Sequence, residues 1–157
     1  VVKNAKPGDS WAEDELQEEY LIYGVLHPLQ GSIIPKMHPD SSRTRLVLEK
    51  VRGRTLLEVA TSTGTSPYTF GVLLLHACAA LSGLHAHGWT HGDSHANNIL
   101  VWPEGARLID LSFAEEGHHL PPNMWEKRVK HDWALLLRSF EGQVSAQKWA
   151  IAKKLLM

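Results

Sequence analysis

The sequence predicts an α+β fold, with strands and turns early in the chain and helices dominating later. Three observations predict it. Two short apolar runs, residues 32–37 and 46–51, flank the turn chemistry of His38-Pro39-Asp40-Ser41-Ser42. Phe70, Leu73, Leu74, Ala77, Leu81 and Leu84 keep a 3.6-residue period through a long stretch, residues 67–87. Two further apolar runs, 99–102 and 106–109, surround Pro103-Glu104-Gly105 and read as a hairpin, after which only helical patterns follow. Strands and helices are segregated, unlike the alternation of a βαβ protein.

Each element has its own signal. Ser10 and Glu13 read as a capping box opening a helix, in which Leu16, Tyr20 and Tyr23 recur at helical spacing. That helix should stop before His27-Pro28, because the residue preceding a proline is pushed out of the helical region. The runs 32–37 and 46–51 are expected as buried strands, and Gly53 ends the second. Pro67 suits the first turn of the long helix, and Gly88 suits its end. Two last helices are expected over about 126–140 and 144–156.

At 157 residues the chain is about one domain long. Its net charge of −1 gives no specific nucleic-acid signal. A single cysteine, Cys78, excludes an internal disulfide and fits a reducing compartment, so a cytoplasmic or nuclear location is expected. No signal peptide and no run of membrane-spanning length is read from the sequence, and no membrane partner is expected.

The densest chemistry lies in His87–Leu100, HGWTHGDSHANNIL. His85, His87, His91 and His95 raise a metal site, but Gly88 and Gly92 break any helix that would hold them in register. No cysteine or carboxylate nearby completes a closed structural zinc site. The alternative is a catalytic loop. Asp93 in a turn between a long helix and a hairpin can be held to accept a proton, and Asn98 can reach a cation in front of it. Asp110, at the end of the second hairpin strand, points back to the same place. An asparagine and two aspartates offer hard oxygen ligands suited to Mg²⁺ and a nucleotide.

His91-Gly92-Asp93 with Asn98-Ile99-Leu100, followed by Leu108-Ile109-Asp110-Leu111-Ser112, resembles the catalytic loop and metal-binding segment of the protein-kinase-like superfamily. The HGD form is that of small atypical members: RIO kinases, the KEOPS-complex kinase, lipopolysaccharide kinases and aminoglycoside phosphotransferases. The resemblance implies a reduced kinase-like fold. Residues 1–52 would be a truncated N-lobe, with the third to fifth strands and the αC helix, and residues 53–157 a minimal helical C-lobe.

It also implies roles. Asp93 would be the catalytic base, with Asn98 and Asp110 binding Mg²⁺. Lys3 would hold the ATP phosphates and pair with a glutamate on αC. Counting back from Pro28 puts that glutamate at Glu18, with Glu19 as rival and Glu15 behind both. Leu48 would stand beside the adenine as gatekeeper, with backbone groups near Glu49 and Val51 bonding the ring and Leu100 beneath it. Asp132, in the Asp132-Trp133-Ala134-Leu135 run about twenty residues beyond Asp110, would be buried and tie down the catalytic loop. His91 would pack beneath the loop, and His95 could face substrate.

The match has departures. Nothing upstream of Lys3 supplies a glycine-rich loop, the metal segment reads Asp-Leu-Ser, and little follows the central helix. A chain opening on Val1 is expected to be trimmed from a longer protein, or else to be a minimal kinase-like one. The leading functional expectation is an ATP- and Mg²⁺-dependent phosphotransferase acting on a protein or small-molecule hydroxyl. A pseudokinase or nucleotide-binding interaction module is the alternative, and an ATPase serving a partner complex is a third. A partner protein completing the N-lobe is among the expected partners.

Overall fold

The computed structural model describes residues 1–6 and 8–157. Strand β1 (Val2–Asn4) runs antiparallel to β2 (Arg45–Val47), with Lys3 opposite Leu46. The pairing extends one step further through reciprocal bonds between Val1 and Leu48. Between these strands lies helix α1 (Ser10–Val25), which buries Leu16, Glu19, Ile22 and Tyr23 on one face. Its N-cap is Asp9, whose carboxylate accepts the Ala12 amide at 3.2 Å, so the expected Ser10/Glu13 capping box is corrected by one residue. An aspartate at that position satisfies the same orphan amide a serine would. The helix stops before Pro28, as expected.

The expected strand over 32–37 does not form. Gly31, at φ +77°, turns the chain so that its amide bonds Ile34 O at 2.7 Å, while the Ile33 and Ile34 amides both bond Leu29 O. Pro35 offers no amide, and Met37 alone bridges Leu48. The run is apolar because Ile34 is wholly buried in a turn, a condition that periodicity cannot tell from a strand. The expected strand over 46–51 is likewise shorter: the ladder covers Arg45–Val47 and the Leu48 bridge, and the Glu49 amide crosses to Lys36 O at 2.8 Å.

Strand β3 (Arg54–Thr55) leads into helix α2 (Leu56–Thr61), an element too short to show a period. Its mark in the sequence is Thr55-x-x-Glu58. The threonine hydroxyl accepts the Glu58 amide at 3.1 Å and the Glu58 carboxylate accepts the Thr55 amide at 2.8 Å, a complete capping box. Helix α3 (Pro67–Ala86) is capped by Ser66 and forms the centre of the molecule. Its length and mean hydropathy of 1.5 would suffice to cross a membrane, which corrects the expectation that no run qualifies. Here Phe70, Leu73, Leu74, Ala77, Ala80, Leu81 and Leu84 are buried against protein.

Strand β4 (Trp89–Thr90) precedes the loop that carries Asp93, and the hairpin β5 (Ile99–Trp102) and β6 (Gly105–Leu108) follows it. The sheet order is β3-β5-β6, all antiparallel. Gly53 lies so close to β5 that an added Cβ would stand 2.9 Å from Val101 O, which only glycine allows. Strand β7 (Glu115–Glu116) pairs with β4. Helices α4 (Pro122–Arg138) and α5 (Ala146–Leu156) close the structure; α4 starts a turn earlier than the expected 126, with Pro122 in its first turn, and α5 starts near its expected boundary. Phe70 of α3 meets Phe140 edge to face at 5.5 Å. Lys148 of α5, itself buried, donates to Ala60 O and Ser62 O and so satisfies the open end of α2.

The turn at 31–34 is tied to β6 by two contacts. The Leu108 amide bonds Ile33 O at 2.9 Å, and the Arg107 guanidinium bonds the carbonyls of Ser32 and Gly31. They hold the turn at 31–34 against β6 and fix the cleft between β2 and the hairpin.

Candidate active site

The loop after β4 is built around one carboxylate. Asp132 of α4 accepts the His91 amide at 2.8 Å through Oδ2 and the Gly92 amide at 2.9 Å through Oδ1, and it sits 2.8 Å from His85 Nε2 of α3. Ser94 donates its hydroxyl to Asp132 O at 2.7 Å. Burial works to raise the pKa of Asp132, but the bonds from His85 and the two amides outweigh it and hold the carboxyl below its usual value. Further along, the Ala96 amide bonds Ser139 Oγ at 3.0 Å. Helix α4 and its C-cap Ser139 therefore grip the loop at both ends, and Asp132 ties it as the kinase-like resemblance implied. The shares of His85 and Ser139 had no signal in the sequence, because nothing in their spacing shows which loop they will meet.

His91 is wholly buried and ties the loop to the metal-type segment. Its Nε2 lies 3.0 Å from Ile109 O, and the Asp93 amide points at Nδ1 at 3.3 Å. Those two partners are satisfied together by a neutral ring protonated on Nε2. Burial lowers the His91 pKa despite the nearby carboxylates, in keeping with that neutral form. The Ile109 amide in turn bonds Asn98 O at 2.9 Å. Asp93, Asn98 and Asp110 are thus set relative to one another by a buried ring and a backbone bond.

Asn98 donates Nδ2 to both Asp93 O and Asp93 Oδ2, each at 2.9 Å, and its amide oxygen has no hydrogen-bond partner among the described residues. Asp110 adopts φ 63°, the single described residue other than glycine with positive φ. Such backbone is costly for most side chains and tolerable for aspartate, and strain of this kind gathers at functional sites. Gly92, at φ +76°, is also required: an added Cβ would stand 2.1 Å from Phe113 O. His95 Nε2 lies 3.4 Å from Asp93 Oδ1, so this histidine borders the same carboxylate.

Lys3 closes the arrangement. Its ammonium lies 2.8 Å from each oxygen of Glu19 and 3.2 Å from Asp110 Oδ1. Glu19 is 3% exposed and also accepts the Leu111 amide at 3.2 Å, whereas Glu18 faces solvent. The expected partner Glu18 is therefore corrected to Glu19. Adjacent helical positions stand about 100° apart, and only Glu19 shares the buried face of Leu16 and Tyr23. Burial alone would lower the Lys3 pKa, but the charge and hydrogen bonds of Glu19, with Asp110 behind it, raise it above the ordinary lysine value.

Two cavities meet at the Lys3–Asp110 pair. One, of 190 Å³, is lined by Leu48, Glu49, Val51 and Leu100, with Lys3, Asn98 and Asp110 at its other end. The second, of 380 Å³, is polar and lies between β1 and α1, bordered by Asn4, Glu15, Glu19 and Ser112. Lys3, Leu48, Glu49, Val51, Asn98, Leu100 and Asp110, all expected from the sequence at the nucleotide and metal site, line the first cavity, and Asn98 joins Asp93 to it. Among the described residues neither Glu49 O nor Val51 N is engaged in a hydrogen bond, so an acceptor and a donor are free at the cavity edge. The histidines of the loop do not converge on a metal: His85 turns to Asp132, His87 to Gly83 O, His91 to Ile109 O and His95 to Asp93. Among the described residues no three His, Cys, Asp or Glu side chains form a metal-ligand group. Mg²⁺ needs no such cage, since one or two protein oxygens and the phosphates of its nucleotide complete its shell. Asp110 and the free oxygen of Asn98 fit that donor set.

A buried aspartate under the loop, a lysine–glutamate pair and an apolar cleft between β2 and the hairpin define a kinase-like transferase fold. Residues 16–154 match the lipopolysaccharide kinase (Kdo/WaaP) family, and the chain belongs to that family. No curated protein matches the chain. Among solved structures it is similar to a divergent kinase lacking the glycine-rich loop, which regulates membrane ultrastructure of the Toxoplasma parasitophorous vacuole. That likeness has a TM-score of 0.58 and 19% identity, covering 99% of this chain and 57% of the other. It is also similar to the bifunctional kinase-methyltransferase WbdD, at TM-score 0.53 and 20% identity, covering 97% of this chain and 44% of that one. The chain thus spans about half the length of these neighbours, whose likeness establishes the fold.

Proposed function

We propose that the chain is the catalytic part of an ATP- and Mg²⁺-dependent phosphotransferase that moves the γ-phosphate to a hydroxyl of a small molecule or a protein. What carries this reading is the convergence of Lys3, Asn98 and Asp110 at one end of the apolar cleft, with Asp93 held beside them by Asn98. Leu48 and Leu100 would enclose the adenine, and Glu49 O and Val51 N would accept from and donate to its edge. Lys3, oriented by Glu19, would hold the α- and β-phosphates. Asp110 and the Asn98 oxygen would hold Mg²⁺, which when bound neutralises charge on the phosphates. Asp93, half-exposed and fixed through Oδ2, would orient the acceptor hydroxyl and take its proton.

The reading does not depend on a glycine-rich loop, because a structure of similar fold is that of a divergent kinase lacking it. The test is ATP binding with and without Mg²⁺, followed by γ-phosphate turnover in the wild-type chain and in Asp93→Ala. Mg²⁺-dependent binding and turnover lost in Asp93→Ala are expected. Binding without turnover would assign the chain to a nucleotide-binding interaction module, and no Mg²⁺-dependent binding would end the enzyme reading.

A further inference from the structure

A third cavity, of 440 Å³, lies on the other side of the catalytic loop, between that loop and α4. Its loop wall is Thr90 and Gly92, and its helix wall carries Met124, Lys127, Arg128 and His131. Those helical positions fall at i, i+3, i+4 and i+7, so one face of α4 delivers all of them. One carboxylate borders the cavity, Asp132, and its oxygens are already committed to His85 and the amides of His91 and Gly92. Arg128 is paired with Glu115, and Lys130 with Glu126 at 2.6 Å. Lys127 and His131 are therefore the two nitrogen donors of the cavity wall without a salt-bridge partner among the described residues.

We propose that this cavity seats a phosphate group carried by the acceptor. The assignment rests on the phosphotransferase reading above and names the class of substrate that reading leaves open. A lysine ammonium and an imidazole N–H one helical turn apart can both donate to a tetrahedral oxyanion at this wall, and hydrogen bonds to such an ion are the strong kind. The volume suits a small molecule rather than a folded partner. Gly92 lies in the cavity wall and Asp93 is the next residue. An acceptor anchored here by its phosphate reaches around one residue of backbone to bring a hydroxyl to Asp93.

The test titrates the full chain with glucose 6-phosphate, glucose and inorganic phosphate, following the backbone amide resonances of Thr90, Gly92 and His131. Mg²⁺-ATP is followed separately at Leu48 and Val51. Glucose 6-phosphate and inorganic phosphate are expected to move the first set and glucose to leave it unmoved. The Lys127→Ala/His131→Ala double variant should bind the phosphate probes at least tenfold more weakly, its otherwise unchanged spectrum showing that it is folded. Equal binding by the double variant, equal shifts with glucose, or no shift with either phosphate probe would overturn the proposal. A site that takes inorganic phosphate but excludes glucose 6-phosphate belongs to a free anion and overturns the acceptor assignment. If Mg²⁺-ATP binds while the phosphate probes do not, the phosphotransferase reading stands alone. If the phosphate probes bind and Mg²⁺-ATP does not, it is that reading which fails, and the acceptor assignment with it.

Discussion

The ammonium of Lys3 lies 2.8 Å from both carboxylate oxygens of Glu19, and the same carboxylate accepts the amide of Leu111, next to Asp110. One glutamate on α1 therefore positions both the lysine and the metal-type segment. Glu19→Gln should lower stability by roughly 1–3 kcal/mol, the cost of a lost partner for a half-buried charge. It should also weaken nucleotide binding and turnover together. Glu18→Gln, at an exposed position, should stay within about 0.5 kcal/mol of wild type. Denaturant unfolding and an ATP titration of both variants check this, and equal effects at the two positions would contradict it.

Asp93→Ala should reduce γ-phosphate turnover by about 10²–10⁴-fold, the usual contribution of a positioned general base. The side chain is 35% exposed, so the melting temperature should barely change. Single-turnover kinetics and a thermal scan on one preparation measure both.

Gly92→Ala is expected to be far more damaging than its size suggests. The added Cβ meets Phe113 O at 2.1 Å on backbone at φ +76°. The strained conformation alone costs roughly 1–3 kcal/mol, and relieving the clash would pull the loop from Asp132. Loss of both stability and turnover is the expected result; a crystal structure of the variant with the loop unmoved would count against it.

Acid should weaken the protein in two stages. His91 is buried neutral with a lowered pKa, so the unfolded chain takes up a proton first, and stability falls as pH drops below the ordinary histidine value of 6.5. Asp132 has a folded pKa below its ordinary 3.8; its contribution is complete above that value and is lost as pH falls through the folded pKa. Urea unfolding from pH 8 to pH 3 should show both, and His91→Gln should abolish the upper stage alone.

Asp132→Ala should cost roughly 3–5 kcal/mol, as when one side of a buried polar pair is removed. It strands the His91 and Gly92 amides and the His85 ring at once. Amide hydrogen exchange should then show early opening at residues 91–94, where the wild type is protected.

The sequence by itself determined the central helix, the hairpin and the loop between them, because each is local. The period of α3, the turn at Pro103-Glu104-Gly105, and the order Asp93, Asn98, Asp110 all lie within stretches short enough for spacing to carry meaning. Only tertiary structure decided which glutamate serves Lys3, since Glu18 and Glu19 differ in sequence by a single step and in space by the face of α1 they occupy. It also decided that residues 32–37 turn rather than extend, because burial of Ile34 produces the same apolar run a strand would. His85 and Ser139 found their partners, and Lys127 and His131 their cavity, through helices packed across the fold. Contacts between residues far apart in the chain have no periodicity to announce them, and burial against another element, not local propensity, settles them.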